Sequence, residues 1–323
     1  MILAKKLLLL CIALLLLLSC SGDSDDSVSN KAAVTQYLDE FIGILQANAV
    51  TRYQVNWPQL ESEVKTLANS AGTIPQAFPA IRRALEIIDT NHSFYRPANG
   101  AAIIYPSTVS CIETVLSDVA EHEDIGYIRV DGFSGTSAEA TALATNIQQR
   151  IREQDHAGIR GWIVDLRHNR GGNMWPMIAG LGPLLGNGIA GYFINPDEVQ
   201  TSWGYEDGVA FISSPIVTVQ PYYELLVPAQ KIAVLSSRQV ASSGEAALIA
   251  LKGLAHSRVF GSDSCGLSTS NSSFQLSDGA QLLLTTATMA DRHLNAYGGQ
   301  VAVDEHVAQQ NVLAQAMAWI LAP

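Results

Sequence analysis

Two serines at a predicted helix start are the candidate nucleophiles of this sequence. They stand in Val240-Ala241-Ser242-Ser243-Gly244-Glu245, which follows the buried-type strand Lys231 to Ser237 and opens an Ala-rich helix. Serines at such a position usually cap the helix, and Ser242 with Glu245 fits a capping box. A nucleophilic serine placed there would also gain a polarised environment for the negative charge that develops on an oxygen during acyl transfer.

A second segment combines charged residues with paired glycines where another buried-type strand ends. The strand, Gly161 to Leu166, runs into the motif Asp165-Leu166-Arg167-His168-Asn169-Arg170-Gly171-Gly172, and a helix is predicted to follow. Adjacent glycines let backbone N–H groups converge on an anion, and a helix start adds a partial positive charge. Open parallel sheets collect their sites at the carboxyl ends of strands, where both segments lie. Taken alone, the motif also fits a tight turn that binds nothing.

A serine nucleophile needs a base, and histidine is the usual choice near neutral pH. His92 is the leading candidate because it lies at the exit of the last predicted N-terminal helix, in Asp89-Thr90-Asn91-His92-Ser93. His168 lies inside the glycine motif and competes with it, and His293 lies near a strand end. The other histidines of the mature chain, in polar surface-like contexts, are His122, His156, His256 and His306.

The chain divides into a helical start and an alternating remainder. From Lys31 to about Pro97 apolar residues recur at three- and four-residue steps, which indicates a small bundle of helices. From about Ile125 strands and helices alternate, which implies parallel strands joined by crossover helices. Asp278-Gly279, between two strand-like segments, is a strong hairpin signal. We therefore predict an α/β fold with a mixed, largely parallel sheet, preceded by a small N-terminal helical cap.

Composition excludes several classes of protein. Of 323 residues, 48% are hydrophobic and 15% are charged, which is too little charge for a disordered chain or a coiled coil. The net charge of −11 argues against a nucleic acid or an anionic lipid surface as partner. With no CxxC, HExxH or clustered His/Cys pattern, we expect neither a metal nor a cofactor. Cys111 and Cys265 could pair in an oxidising compartment, or remain two buried thiols.

The first twenty residues have the features of an export signal. Lys5 and Lys6 precede twelve apolar residues, Leu7 to Leu18. At ~1.5 Å per residue these span roughly 18 Å, less than the ~30 Å hydrocarbon core of a membrane. Leu17-Leu18-Ser19-Cys20 resembles the bacterial lipobox, in which the cysteine is lipidated and becomes the first residue; the alternative is an ordinary signal peptide with an incidental cysteine.

These features predict where the protein works. Without Lys5 and Lys6 the exported part would carry 17 basic and 30 acidic residues, a net charge of −13. Residues 21–30, SGDSDDSVSN, have the composition of a polar tether. We predict an exported protein held by a lipid on Cys20 in the bacterial cell envelope, on the periplasmic or cell-surface side.

Together, the motifs resemble the C-terminal processing (tail-specific) serine peptidases. The most specific pieces are DLRHNRGGNMWP at 165–176 and VASSGE at 240–245, and the resemblance runs from about Val34 to His306. The core of the tricorn protease and the repeats of interphotoreceptor retinoid-binding protein share this fold, which is of the ClpP/crotonase type. The stretch from Gly100 to Asp124 is too short for a peptide-binding module, so the resemblance is to members that lack a PDZ domain.

The predicted domain organisation follows from the resemblance and the patterns above. It comprises a lipoprotein signal peptide (1–19), a polar tether (20–30), a helical cap (31–100) and an α/β peptidase core (101–323).

The resemblance also implies roles for individual residues. Ser242 falls on the nucleophile, and the backbone N–H of Ser243, with that of Gly171 or Gly172, would form the oxyanion hole. The branch of the family that uses a Ser-Lys dyad has its lysine at the position of Leu267, so that mechanism is absent. The histidine route of the tricorn-like members then assigns the base to His92. An acidic partner is expected from the C-terminal segment, with Glu305 as the assigned residue and Asp304 as the neighbouring alternative.

The function implied is an exported serine endopeptidase acting on proteins or peptides. The main alternative is a non-catalytic binding protein for a hydrophobic small molecule or peptide on the same fold, since fold alone does not guarantee activity. A hydrolase of a non-peptide ester or amide would use the same residues. The oligomeric state is not predicted.

Overall fold

The computed structural model describes residues 23–88, 90–100, 103–116, 119 and 122–323. The lipobox with Cys20, and the charged and apolar parts of the predicted signal, lie outside these residues. The helices are α1 (Asp23–Asn48), α2 (Trp57–Leu67), α3 (Phe78–Ile88), α4 (Ser137–Gln154), α5 (Trp175–Gly180), α6 (Gly182–Leu185), α7 (Ser243–Lys252) and α8 (Val312–Leu321), with a 3-10 turn at Ile74–Ala77. The strands are β1 (Phe94–Arg96), β2 (Ile125–Arg129), β3 (Gly161–Asp165), β4 (Gly188–Ile194), β5 (Gln200–Glu206), β6 (Val209–Ile212), β7 (Ser214–Thr218), β8 (Lys231–Ser236), β9 (Ser257–Gly261), β10 (Thr269–Gln275), β11 (Gln281–Asp291) and β12 (Glu305–His306).

A five-stranded parallel sheet forms the centre of the alternating part of the chain. Its order is β12-β9-β8-β3-β2, and every neighbouring pair is parallel. Successive residues of β3 point to opposite faces, as a strand requires: Trp162 and Val164 pack with α4, α5 and α7, whereas Ile163 packs against α8. Both faces are therefore covered by helices, which is why this strand has a continuous apolar sequence.

A seven-stranded antiparallel sheet lies beside it. Its order is β1-β11-β4-β5-β6-β7, and β10 pairs with the other edge of β11. The turn between β10 and β11 is closed at Asp278-Gly279, where Gly279 has a φ of +88°. The predicted hairpin and the α/β class are thus confirmed. Strands β4, β5 and β7 contain Gly, Ser or Thr among their apolar residues, so the apolar pattern of the sequence does not reveal how far the antiparallel sheet extends.

The helices α1 to α3 share a core with the hairpin of β10 and β11. Phe41 and Leu45 of α1 are fully buried with Leu282 and Leu284 of β11. Tyr37 joins the two parts directly, because its hydroxyl donates to Asp278 Oδ1 in the hairpin turn at 3.1 Å; it also lies 2.7 Å from the hydroxyl of Tyr95 in β1. The division of the chain at residue 100 stays a prediction. The first turns of α1 include residues 23–30, for which the sequence predicts a tether.

Parallel pairing of β3 with β8 puts the ends of both strands at one edge of the sheet. A buried ion pair at the end of β3 fixes the loop that follows. Arg167 is 0% exposed and Asp165 is 2% exposed, and Arg167 Nη2 lies 2.8 Å from Asp165 Oδ2. Tyr127 donates a further hydrogen bond to Asp165 at 2.6 Å. The glycine motif and the serine motif therefore emerge side by side from a rigid base.

Cys111 and Cys265 form a disulfide, with their Cα atoms 5.0 Å apart. This is one of the two alternatives that the sequence left open.

No helix among the described residues is both long and apolar enough to cross a membrane.

Candidate active site

The residues that the sequence singles out converge on one large cavity. It has a volume of about 1240 Å³ and lies between the helices of the N-terminal part and the two sheets. The candidate residues that line it are His92, Gly172, Ser242 and Ser243, together with Thr269.

Ser242 lies in a strained backbone conformation between β8 and α7. Its φ of +54° and ψ of −118° are rare for a residue with a side chain, because the Cβ crowds the backbone there. Strain of this kind costs about 1–3 kcal/mol and persists only where the surroundings enforce it. Ser242 is one of the residues that line the cavity.

The carboxylate of Glu245 enforces that conformation. Glu245 is fully buried, and its Oε2 accepts the backbone N–H of Ser242 at 2.7 Å. The same carboxylate accepts hydrogen bonds from the Ser264 hydroxyl at 2.6 Å, from Gly266 N at 2.8 Å and from Leu267 N at 2.9 Å. Burial raises the pKa of Glu245 to about 7, although each of these hydrogen bonds acts to lower it. Glu245 therefore makes the hydrogen bond expected of it in the predicted capping box, and it also binds the loop at 264–267.

The glycine loop lies against the serine loop, since a Cβ on Gly171 would meet Ser242 Cβ at 2.9 Å and Ser243 N at 3.1 Å. Ser243 is the first residue of α7, and the N–H groups of a first turn have no acceptor within the helix. The Ser243 hydroxyl donates to the Gly172 carbonyl at 2.6 Å and so joins the serine loop to the glycine loop. Gly172 has a φ of +111°, and a Cβ on it would meet the Phe133 carbonyl oxygen, so only glycine fits there.

Asn169 is buried and joins these two loops through hydrogen bonds. Its backbone carbonyl accepts Ala241 N–H at 3.1 Å, and its side-chain oxygen accepts Gly171 N–H at 3.0 Å. The N–H of Gly171 is therefore already committed inside the loop. Of the two glycines that the sequence offers as oxyanion donors, Gly172 is the one that lines the cavity.

His92 reaches the cavity from the turn between α3 and β1. Its backbone carbonyl accepts a hydrogen bond from Asn271 Nδ2 of β10 at 3.0 Å. The next residue, Ser93, is bonded through its hydroxyl oxygen to Thr285 N at 3.0 Å, in β11. The antiparallel sheet thus fixes the histidine from the side opposite the serine loop.

The imidazole of His92 is buried and held by one side chain. Its Nδ1 lies 2.8 Å from Thr269 Oγ1, and the residue is only 8% exposed. Burial lowers the pKa of His92 from 6.5 to about 4, so the ring is neutral at pH 7. A neutral imidazole has one donor and one acceptor nitrogen, so a Nδ1–H that donates to Thr269 leaves Nε2 free to accept a proton.

The structure does not bring Glu305 to this cavity. Glu305 lies in β12, at the edge of the parallel sheet, where its side chain is 44% exposed and pairs with Arg258 at 3.1 Å. Asp304 pairs with Lys252 and accepts Val259 N–H at 2.8 Å. Both carboxylates line a separate cleft. The side chain beside the histidine is the hydroxyl of Thr269, and the expected carboxylate is not the group found there.

No local pattern in the sequence assigns a role to Thr269. Thr269 stands in the segment Cys265-Gly266-Leu267-Ser268-Thr269, and nothing in its type marks a hydroxyl as the neighbour of a histidine 177 positions away. Among the described residues, no group of three or more His, Cys, Asp or Glu side chains could hold a metal ion. Neither competing histidine, His168 or His293, lines the cavity, and His293 Nε2 bonds the Gly253 carbonyl at 3.0 Å.

Comparison with known proteins identifies relatives for most of the chain. The model of peptidase family S41 matches residues 124–307. The nisin-resistance protein of Lactococcus lactis subsp. lactis is 25% identical over 263 residues, which cover 81% of this chain and 79% of that protein. A carboxyl-terminal-processing protease of Synechocystis sp. is 27% identical over 180 residues, covering 56% of this chain and 37% of that protein.

A solved structure of a lipoprotein from Streptococcus agalactiae has the same fold. Its TM-score is 0.69 at 19% sequence identity, and the match covers 89% of this chain and 96% of that one.

The buried, neutral His92 predicts how stability changes with pH. The folded protein binds the His92 proton only below about pH 4, whereas an unfolded chain with a pKa near 6.5 binds it below that value. The contribution of His92 to the free energy of unfolding is therefore complete above pH 6.5 and is lost as the pH falls from 6.5 to 4. Urea unfolding of the wild type and of His92→Gln at pH 7 and pH 4.5 measures this. The wild type should lose more stability than the variant between the two pH values, and equal losses would contradict a buried neutral ring.

Proposed function

We propose, from the premise that this chain belongs to peptidase family S41, that it cleaves peptide bonds with Ser242 as nucleophile and His92 as base. Membership of the family makes the protein a serine peptidase, a hydrolase, and the resemblance to the C-terminal processing peptidases is confirmed at that level. The individual roles below are our assignment to residues of this cavity.

The chemistry is acyl transfer to water. Ser242 Oγ attacks the carbonyl carbon of the peptide while His92 Nε2 takes the hydroxyl proton. The carbonyl oxygen becomes an oxyanion, which accepts hydrogen bonds from the backbone N–H groups of Gly172 and Ser243. The C–N bond then breaks, His92 returns the proton to the leaving amine, and an acyl-Ser242 ester remains. Water, deprotonated by His92, hydrolyses that ester and restores the serine.

Thr269 takes the orienting role that the sequence assigned to Glu305. A hydroxyl that accepts Nδ1–H fixes the tautomer and the direction of the ring. It adds no negative charge, so it stabilises the protonated imidazole less than a carboxylate would. The low pKa of His92 fits this arrangement. Burial disfavours the charged ring and lowers the pKa, and no adjacent carboxylate among the described residues raises it again.

One observation carries the proposal: Ser242 and His92, 150 positions apart in the sequence, line the same cavity together with Gly172 and Ser243. The strained backbone of Ser242 favours catalysis over simple binding. A non-catalytic binding protein would not need that strain, and it is the alternative that the first experiment below excludes or supports.

The cavity favours an extended peptide as substrate. Its volume of about 1240 Å³ exceeds what one side chain needs, and aromatic rings stand on several of its walls. These rings belong to Phe94, Tyr105, Trp175 and Phe193. We infer a preference for apolar side chains close to the cleaved bond. The name of the Lactococcus lactis relative makes nisin one candidate substrate to test.

Export and lipid anchoring complete the proposal. The lipobox-like segment before Cys20 supports them, and the solved relative from Streptococcus agalactiae is described as a lipoprotein. An oxidising compartment would also favour the disulfide between Cys111 and Cys265.

The choice of nucleophile is tested by labelling with a fluorophosphonate. We expect Ser242→Ala to abolish labelling and to lower peptide hydrolysis by at least about a thousandfold. Ser243→Ala should still be labelled, more slowly, because its hydroxyl only positions Gly172. Labelling that persists in Ser242→Ala and disappears in Ser243→Ala would show that the wrong serine was chosen. A wild-type protein that resists the probe altogether would favour the binding function.

The role of Thr269 is tested by a matched pair of variants. Thr269→Val keeps the shape of the side chain and removes the hydroxyl, whereas Thr269→Ser keeps the hydroxyl. One orienting hydrogen bond is worth about 1 kcal/mol, so Thr269→Val should lower kcat about fivefold with little change in KM. Thr269→Ser should retain most of the activity. Equal activity of the two variants would remove Thr269 from the mechanism.

Lipidation is tested in a bacterial host by metabolic labelling with an alkyne-bearing fatty acid. The wild type should incorporate the label and sediment with membranes, whereas Cys20→Ala should do neither. A Cys20→Ala protein that still carries the lipid would place the anchor elsewhere, and an unlabelled wild type would favour an ordinary signal peptide.

A further inference from the structure

An extended segment, residues 105–113, connects the two sides of the cavity; we call it the strap. It contains neither helix nor strand, and its first residue, Tyr105, is part of the cavity wall. His92 and Ser242 belong to separate cores, since α3 packs with α1 and α2 whereas α7 packs with the parallel sheet. A segment that contacts both loops can therefore influence their relative position.

At one end the strap is bonded to Asn91, the residue before His92. The side-chain oxygen of Asn91 accepts hydrogen bonds from Thr108 N at 2.9 Å and from the Thr108 hydroxyl at 3.1 Å. The Asn91 carbonyl accepts the Tyr105 hydroxyl at 2.7 Å. Asn91 has a φ of +52°, a conformation that asparagine tolerates better than most residues. The turn that carries His92 is thus bonded to the strap through both the backbone and the side chain of Asn91.

At the other end Glu113 binds the loops that flank Ser242. Its carboxylate accepts Arg238 N–H at 2.6 Å and the Ser262 hydroxyl at 2.7 Å. Its backbone carbonyl accepts Gln239 Nε2 at 2.6 Å. Arg238 and Gln239 precede Ser242 in the loop after β8, so Glu113 holds that loop from its outer side.

The disulfide adds a covalent bond at the same end. Cys111 is bonded to Cys265, the residue between Ser264 and Gly266 that the Glu245 carboxylate binds. Cys265 is 1% exposed and packs in a small apolar cluster with Ala241, the residue before Ser242. Movement of Cys111 would therefore be transmitted to the backbone on both sides of the serine.

We propose that the strap is a positioning element for catalysis, and that the Cys111–Cys265 disulfide holds His92 in register with Ser242. This inference depends on the proposed function. A dithiol reductant supplies two electrons and two protons, is itself oxidised to a cyclic disulfide, and converts the bond into two thiols. The strap is then held at that end by hydrogen bonds, and the turn at Asn91 gains freedom relative to the serine loop.

The test is a labelling cycle with a fluorophosphonate at Ser242. Reduction with dithiothreitol should slow labelling at least tenfold in the protein that has His92, because a misplacement of about 1 Å can cost about a hundredfold. In His92→Ala, reduction should change the rate less than twofold, since the base is already gone. An equal fall in both proteins would mean that the disulfide acts on the serine loop alone, and no fall in either would overturn the proposal.

Two further sets of variants provide the controls. Cys111→Ala/Cys265→Ala should label slowly with or without reductant, which excludes an effect of the reductant itself. Asn91→Gly keeps the positive φ and removes the side-chain acceptor, whereas Asn91→Asp keeps the acceptor. Asn91→Gly should slow labelling and lower kcat more than it raises KM, and Asn91→Asp should restore much of the rate. Equal rates for the two would contradict a role for the bonds to the strap.

Hydrogen–deuterium exchange separates failure of this inference from failure of the proposed function. On reduction, amides of residues 90–94 should exchange faster together with those of the strap, whether or not the protein is a peptidase. Faster exchange confined to residues 105–113 would overturn the positioning role even in an active enzyme. Faster exchange at 90–94 in a protein that no probe labels would contradict the proposed catalysis and leave the mechanical link in place.

Discussion

The fully buried carboxylate of Glu245 is the interaction on which the rest of the site depends. It accepts the backbone N–H of Ser242 and, through its other hydrogen bonds, the loop at 264–267. A buried charge is costly unless its hydrogen-bonding capacity is used, and here four donors converge on one carboxylate. That convergence fixes the strained backbone of the serine, and it also fixes the start of the segment that leads to Thr269. One side chain therefore sets the place of the proposed nucleophile and of the group proposed to orient its base.

Each of the two sheets holds a different part of the site. The parallel sheet, stiffened by the buried pair of Asp165 and Arg167, presents the glycine loop and the serine loop from adjacent strand ends. The antiparallel sheet holds the turn that carries His92, since Asn271 bonds the His92 carbonyl and Thr285 bonds Ser93. Catalysis by these residues needs the two parts to keep a fixed relation. The strap and its disulfide supply bonds across that junction in addition to the contact of His92 with Thr269.

Much of this arrangement could be predicted from the sequence, because it depends on local patterns. The buried strands, the hairpin at Asp278-Gly279 and the helix that starts at Ser243 all follow from periodicity and turn residues. Family membership could also be recognised, since DLRHNRGG and VASSGE each keep a strand end, a turn and a helix start together. The separate antiparallel sheet could not be sized in this way, because its strands β4, β5 and β7 contain Gly, Ser or Thr among their apolar residues.

The partner of His92 could not be predicted either. Thr269 meets the histidine only because β10 crosses behind it, and Glu305 is kept away by its pairing in β12. Those contacts depend on strand order, which the local sequence does not encode. The most direct test of this site is the crystal structure of the protein after reaction with a peptidyl phosphonate. We expect a bond from Ser242 Oγ to phosphorus, with a phosphonyl oxygen within about 3 Å of Gly172 N and Ser243 N and with His92 Nε2 beside the remaining oxygen. An adduct on Ser243, or one on Ser242 with that oxygen turned away from both N–H groups, would contradict this expectation.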